Sequence, residues 1–451
     1  MIYPINTLTA QEIANATGGR VIYGSGDVTV ASVSTDSRTV DGATVYIPIK
    51  GDNFDGHTFI CDVTKQGVAG YLCSDGQICG GSGFAIMVDD TRKALLDLAS
   101  YYRSLFKIPV VGLTGSVGKT TTKEFVASVL SKGYNTLATK GNFNNDIGVP
   151  LTIFGLENSH EAAVIEMGMS NFGEIEVLSK CAHPDVAIIT NIGTSHIEFL
   201  GSREGILKAK TEIFEGLSKD GKVILNGDDP YLWGIKDKVG FETIYFGIEN
   251  TDCDITATDI ISDENGSLFK CEGKEYRINP VGTHNIYNAL AAIATGKTLG
   301  LSYEKIYAGL KAFVPGGIRQ NIISCNGYKV INDCYNSSPQ SVKAALGVLD
   351  TLSAKRRIAV LGSIGELGEK SKELHEDIGT YVTDSKTDIL ITVGEDAKYI
   401  ATKAKNCQVH SFDTTDEATQ LLKKIIQKED AILVKASRFM KFEVISESIT
   451  Q

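Results

Sequence analysis

The stretch 110-VVGLTGSVGKTTT-122 carries the residue types that hold phosphate. A β-branched run ends at Thr114. Gly115, Ser116 and Gly118 make a turn, and Lys119, Thr120 and Thr121 open a segment of helical character. Glycines let successive backbone N–H groups face phosphate oxygens, and a helix N-terminus adds the positive end of its dipole. In such a loop Lys119 reaches the β- and γ-phosphates and the Thr120 hydroxyl faces Mg²⁺. The full pattern has a glycine where this chain has Leu113, with Gly112 one residue away.

Two further residues bear on what the phosphate is used for. Glu166 ends the run 162-AAVIE-166, and His196 follows 186-VAIIT-190 by a few residues. Strand carboxyl ends of a parallel sheet share the ligand-binding edge, so both side chains are expected there. A carboxylate with an imidazole suits Mg²⁺ or Mn²⁺. Each residue alone also has a plain structural reading, Glu166 as a helix cap and His196 as a loop histidine.

The elements that must position these groups follow from periodicity. Thr9 and Glu12 fit a capping box, so a short helix starts there, and 28–51 alternates like strands broken by polar turns. Residues 92–106 have helical apolar spacing. From Ile108 on, apolar β-branched runs alternate with helical segments at 108-IPVVGLT, 162-AAVIEMG, 185-DVAIITNIG and 222-KVILNGD, closing with the helical stretch 284–300. This predicts a mostly parallel sheet covered on both faces. After the break 314-VPGGIR-319 the alternation resumes at 329-KVIND, 357-RIAVLG, 388-DILITVG and 430-DAILVKAS, with helices from Gln340 and Lys372. The expected fold class is α/β with three domains: a small N-terminal α/β domain (1–106), a central P-loop mononucleotide-binding parallel-sheet domain (107–315) and a C-terminal Rossmann-like domain (316–451). Gly316 and Gly317 are the expected hinge between the last two.

The 451 residues are too many for one ordinary core, and 22% charged with 42% apolar residues is the balance of a soluble globular chain. A net charge of −11 disfavours nucleic acid and anionic membrane as partners. The N-terminal MIYPINTLTAQEI has no secretory pattern, and no run is long and apolar enough to span a bilayer. A cytoplasmic location and no membrane insertion are therefore expected. The nine cysteines are scattered without a Cys-x-x-Cys, so reduced thiols are expected rather than a disulfide or zinc framework.

Together, 112-GLTGSVGKTT-121, 141-GNFNNDIGVPLT-152, 166-EMGMS-170, 190-TNIGTSHIEFLGS-202 and 209-AKTEIF-214 resemble the Mur ligases, ATP-dependent amide-forming enzymes of peptidoglycan precursor synthesis. The likeness continues through 226-NGDDP-230, 282-GTHNIYNALAA-292, 332-NDCYNSSPQSVKAAL-346, 361-LGSIGELGE-369 and 434-VKASRFMKFE-443, and so covers essentially the whole chain. The GNFNN, D-x-YN-x-x-P and ELGE runs point, within the family, to the member that adds D-alanyl-D-alanine to a UDP-N-acetylmuramoyl tripeptide. That implies ATP and two Mg²⁺ ions as cofactors, the two named substrates as partners, and a monomer. It also implies that an acyl phosphate precedes the amide.

By position, the resemblance implies that Gly115, Ser116, Gly118, Lys119, Thr120 and Thr121 hold the ATP phosphates and the first Mg²⁺. Glu166 and His196 would hold the second Mg²⁺ with Lys210, which matches a lysine carried as a carbamate. Taken from spacing alone, Lys210 reads as a solvated helix lysine. His284 and Asn285 fall near the adenine, Arg319 and Asp333 meet the nucleotide from the C-terminal domain, and Lys119, His196 and Lys210 are the catalytic set. Ser37, Arg38, Asn142, Asn144, Asn145, Tyr335 and Asn336 are the expected substrate contacts, the first two near the uridine diphosphate. Ser363 stands where family members often have aspartate, which leaves the dipeptide pocket open. The rival readings are another Mur-type or folylpolyglutamate-type amide ligase, and a non-catalytic P-loop ATP-binding subunit.

Overall fold

The computed structural model describes residues 1–76, 78–80, 83–315 and 320–450. The expected hinge glycines Gly316 and Gly317, and Arg319, lie outside the described residues. The chain forms two compact units, Met1–Thr114 with Gly133–Ile188 and Thr211–Val223, and Gly115–Lys132 with Ile189–Lys210 and Ile224–Gln451.

In the first unit, the N-terminal segment builds a six-stranded sheet in the order Tyr3–Thr9, Thr29–Ser34, Thr44–Tyr46, Gly70–Cys73, Phe84–Met87, Arg20–Tyr23. The four inner strands are parallel, and the two edge strands run antiparallel to them. The Thr9–Glu12 capping box forms as the sequence predicts, with Glu12 N donating to Thr9 Oγ1 at 3.1 Å and Thr9 N to Glu12 Oε2 at 2.7 Å. The helix Thr91–Ser104 is capped by Asp90 and buries Ala94, Leu95, Leu98, Ala99 and Tyr102, one face of a 3.6-residue period. One expectation is corrected. Cys61 and Cys79 form a disulfide with their Cα atoms 5.2 Å apart. Eighteen residues separate them in sequence, but Cys79 is drawn into a cluster with Tyr46, Ile60, Val63 and Tyr71 against which Cys61 packs. Tyr71 Oη accepts from Cys79 N at 3.0 Å and fixes that approach.

The same unit holds the strands Thr136–Ala138, Ala162–Glu166, Val110–Thr114 and Val186–Ile189, in that order. The first three pair in parallel, and the last three are buried at every position. Burial on both faces is why they read as continuous apolar runs.

The second unit carries the helices Lys119–Leu130, Thr283–Thr298 and Tyr303–Ala312, the strand Lys222–Asn226 from Ile224 on, and the strands Glu242–Gly247, Ile255–Asp263, Gly266–Cys271 and Lys274–Ile278 in chain order. The last three are an antiparallel meander that the sequence reading left unassigned. A further six-stranded sheet runs Asn321–Cys325, Tyr328–Asn332, Asp430–Lys435, Arg356–Gly362, Ile389–Val393, Gln408–Phe412. Its first pair is an antiparallel hairpin and the rest are parallel. The helices Pro339–Thr351 and Ser371–Asp384 begin within a residue of the expected Gln340 and Lys372. No helix among the described residues is long and apolar enough to cross a membrane.

Candidate active site

The glycine-rich loop is pinned from behind by its own unit. Ser116 N donates to Asn191 O at 3.1 Å, Val117 N to Asn191 Oδ1 at 3.0 Å, and Gly193 N to Ser116 Oγ at 2.8 Å. Thr190 Oγ1 and Asn191 Nδ2 both donate to the Val117 carbonyl. Two positions admit only glycine. Gly115 has φ +153° and a Cβ there would lie 1.8 Å from Thr190 Oγ1; Gly118 has φ +83° and a Cβ there would lie 2.7 Å from Asn288 Oδ1. The helix Lys119–Leu130 starts directly after Gly118, so its first N–H groups face the loop. Lys119 Nζ donates to the Gly115 carbonyl at 2.8 Å, which folds its ammonium over the loop.

A cleft of ≈ 280 Å³ brings together Gly118, Thr121, His284, Asn285, Asp333, Tyr335 and Asn336, which the sequence reading had assigned to nucleotide or substrate. Its polar groups are tightly bonded. His284 Nε2 lies 2.8 Å from Gln320 Oε1, and Asn285 Nδ2 donates to Val281 O at 2.8 Å. Burial lowers the His284 pKa, so the ring is neutral at pH 7. Asp333 Oδ2 accepts from Lys435 Nζ at 2.6 Å, and Lys435 also donates to Asn336 O at 2.9 Å. Gln320, Asn288 and Lys435 line this cleft without having been singled out. Lys435 stands in the quoted run 434–443, but residue type alone does not reveal that a lysine is buried.

A second cavity, ≈ 450 Å³, is lined by Ser116, Lys119, His196 and Asn336 together with Glu366 and Arg438. His196 adopts φ +62° and Glu366 φ +63°, both left-handed, and His196 Nδ1 lies 2.6 Å from Glu366 Oε2. This contact holds the Glu366 carboxyl below the usual carboxylate range. The signal for Glu366 was its place in 361-LGSIGELGE-369. Ser363 is buried and its Oγ accepts from Ala397 N at 3.2 Å, so it caps the helix Ala397–Lys403.

Lys210, on the helix Arg203–Thr211, is only 2% exposed. Burial, and then the charge of Lys119, push its pKa well down. The solvated surface lysine that spacing suggests is therefore not what the fold contains.

In the first unit, Glu166 is buried, its N–H donates to Thr139 Oγ1 at 3.0 Å, and its Oε1 accepts from Asn144 Nδ2 at 2.9 Å. Asn145 Oδ1 accepts from Gly148 N at 2.8 Å, and Asn142 O from Asn144 N at 2.8 Å, so these asparagines shape their own loop. Ser37 is half-buried, and the exposed Arg38 pairs through two nitrogens with Asp36, each at 2.9 Å.

Residues 113–296 match the Mur ligase middle domain, and residues 318–438 match the Mur ligase glutamate ligase domain. The chain belongs to the Mur ligase family and is an ATP-dependent ligase that forms C–N bonds and releases ADP. It is 38% identical over 453 residues to the UDP-N-acetylmuramoyl-tripeptide–D-alanyl-D-alanine ligase of Bacillus subtilis, with 98% of each chain covered. Among solved structures it is similar to a MurF from Acinetobacter baumannii (TM-score 0.92, 32% identity, 99% of each chain). It is also similar to a MurF from Thermotoga maritima in complex with ADP (TM-score 0.84, 28% identity, 93% of this chain and 96% of that one).

Proposed function

We propose that this chain joins D-alanyl-D-alanine to a UDP-N-acetylmuramoyl tripeptide at the expense of ATP, as a cytoplasmic monomer using two Mg²⁺ ions. The observation that carries the reading is the single cleft that gathers Gly118, Thr121, His284, Asn285 and Asp333, with Lys119 and His196 in a cavity beside Asn336. A six-stranded sheet within residues 3–87, a run of strands between Val110 and Ile278, and a six-stranded sheet within residues 321–435 support domains at 1–106, 107–315 and 316–451.

A carboxylate is a poor electrophile and repels nucleophiles through its charge. Phosphorylation by ATP gives an acyl phosphate, and the dipeptide amine attacks it and expels phosphate. The chain's work is positioning and charge neutralisation. Loop amides and Lys119 hold the phosphates, Asp333 is steadied by Lys435 beside the nucleotide, and neutral His284 with Asn285 presents uncharged groups to the base. Ser37 and Arg38 are the proposed uridine diphosphate contacts, and Asn142, Asn144, Asn145 and Tyr335 further substrate contacts.

For the metal, the residues proposed are Thr120, Glu166, His196 and Lys210. The donor chemistry fits a hard cation provided Lys210 is not an ammonium. Its burial and lowered pKa favour the neutral amine that carbon dioxide can carbamylate. Bound Mg²⁺ would offset the charge of the phosphates and the substrate carboxylate.

The test is ADP formation with defined UDP-muramoyl tripeptides, with and without D-alanyl-D-alanine; turnover indifferent to the dipeptide sinks the reading. Lys119→Ala should lower turnover by about a hundredfold or more, near 3 kcal/mol, with an unchanged circular dichroism spectrum. Near-normal turnover in that folded variant removes Lys119 from the phosphate site.

A further inference from the structure

The ≈ 450 Å³ cavity holds charged groups that phosphate chemistry does not use. Three nitrogen-bearing side chains line it: Lys119, His196 and Arg438. Lys119 is folded over the phosphate loop, 2.8 Å from the Gly115 carbonyl, and His196 faces Glu366 at 2.6 Å. Arg438 remains. We infer that Arg438 receives the free carboxylate of the dipeptide acceptor. The inference rests on the acceptor proposed above and deepens it.

A dipeptide that attacks through its amine brings a carboxylate about 7 Å away along an extended backbone. That charge cannot sit at the phosphates, which would repel it, and taking it out of water unpaired is costly. It needs a cation on a different wall of the cavity. A guanidinium is the side chain best matched to a carboxylate, since its planar fork gives two parallel N–H···O bonds.

The local structure presents such a fork. Arg438 opens the single 3₁₀ turn Arg438–Met440, which ends at Lys441 with φ +52°. Ser437, just before it, accepts from Gly365 N at 3.1 Å, and Ser437 N donates to Ser363 O, so two loops are tied into one wall. The Arg438 side chain is 59% exposed and touches one protein carboxylate, Glu443, with Nη1 3.2 Å from Oε1. That contact engages one of five N–H donors and leaves the rest available. Ile364, Leu367 and Phe439 supply apolar wall against which two methyl groups can lie. Glu366 is the only carboxylate lining the cavity among the described residues, against Lys119 and Arg438, so the lining carries the excess positive charge that an incoming carboxylate requires.

The experiment compares D-alanyl-D-alanine with D-alanyl-D-alaninamide, which lacks the terminal charge, on the full-length enzyme and on Arg438→Gln and Arg438→Lys. The unmodified enzyme is expected to prefer the acid by about tenfold in kcat/KM, because the amide cannot accept the two parallel N–H···O bonds of the guanidinium fork. Arg438→Gln should raise the KM for the acid at least tenfold, leave the KM values for ATP and the UDP-tripeptide within twofold, and bring the acid-to-amide ratio near one. Arg438→Lys, which keeps the charge but not the fork, should fall between, and serves if the glutamine variant does not fold. Equal use of acid and amide by the unmodified enzyme overturns the assignment, as does an unchanged ratio in a folded variant. An enzyme that ligates neither compound, while still releasing ADP with another amine acceptor, overturns the acceptor reading itself.

Discussion

Two lysines are buried to the same extent in the second unit, and the fold treats them in opposite ways. Lys435 ends the strand Asp430–Lys435, is 2% exposed, and gives its protons to Asp333 at 2.6 Å and to Asn336 O at 2.9 Å. Lys210 is also 2% exposed, yet its ammonium has no hydrogen-bond or carboxylate partner among the described residues, and its pKa is pushed well down. A buried ammonium is tolerable when an acid accompanies it, and costly when none does. The first arrangement makes a fixed scaffold for Asp333. The second leaves an amine that gives up its proton more readily than an ordinary lysine. Burial alone therefore does not say what a lysine is for; its company does.

The contrast is most strongly tested by Lys435→Met. Removing one partner strands Asp333 as an unpaired buried acid, and urea denaturation should show a loss of about 3–5 kcal/mol. A loss under about 1 kcal/mol would mean that Asp333 is not held by this pair. Lys210→Met should do the reverse in carbon-dioxide-free buffer, leaving stability unchanged or raising it by about 1 kcal/mol while ligation is lost. The pH dependence has a definite sign. The unfolded chain keeps the Lys210 proton up to about pH 10.4, while the folded chain gives it up earlier. The stability of the unmodified protein relative to Lys210→Met should therefore rise with pH from the lowered folded value until about 10.4 and then level off. A flat difference across that window would mean that Lys210 is paired or solvated. The smallest effect is expected at Glu366→Gln. Its carboxylate is 47% exposed, so about 0.5 kcal/mol is the scale. The folded pKa of Glu366 lies below the ordinary value, so the pair's contribution is complete above about pH 4.3 and is lost as pH falls through the folded value. Denaturation midpoints of the two proteins should converge there.

What could be seen in the sequence follows the same division between local and spatial causes. The phosphate loop was legible because glycines, a lysine and a helix start are neighbours in the chain. The strands Val110–Thr114 and Ala162–Glu166 were legible because burial on both faces makes them continuously apolar. The meander from Ile255 to Ile278 lacks a clear apolar alternation, although its turns carry a signal. Gly266 (φ +128°) follows Asn265, while Glu272 (φ +50°) and Gly273 (φ +73°) form the left-handed pair of a two-residue hairpin. Its outer faces are polar, so hydrophobicity marks it poorly. Lys210, Lys435 and Gln320 were beyond local reasoning, because burial and partnership depend on which strands and loops meet. The Cys61–Cys79 bridge escaped for the same cause. Composition argued for reduced thiols, and only the packing around Tyr71 brings the two sulfurs together.

The crowding behind Gly115 and Gly118 bears on how this enzyme could escape an inhibitor. The Ser116 and Val117 amides already donate to Asn191, and a compound held by other backbone amides of the loop contacts atoms that only a proline substitution could delete. Nor can the chain reshape the loop with a side chain, since a Cβ at Gly115 would sit 1.8 Å from Thr190 Oγ1. Resistance would have to arise at walls such as Ile322 or Ala344, where residue size can vary. A compound anchored on the loop therefore leaves fewer mutational exits than one anchored on the walls.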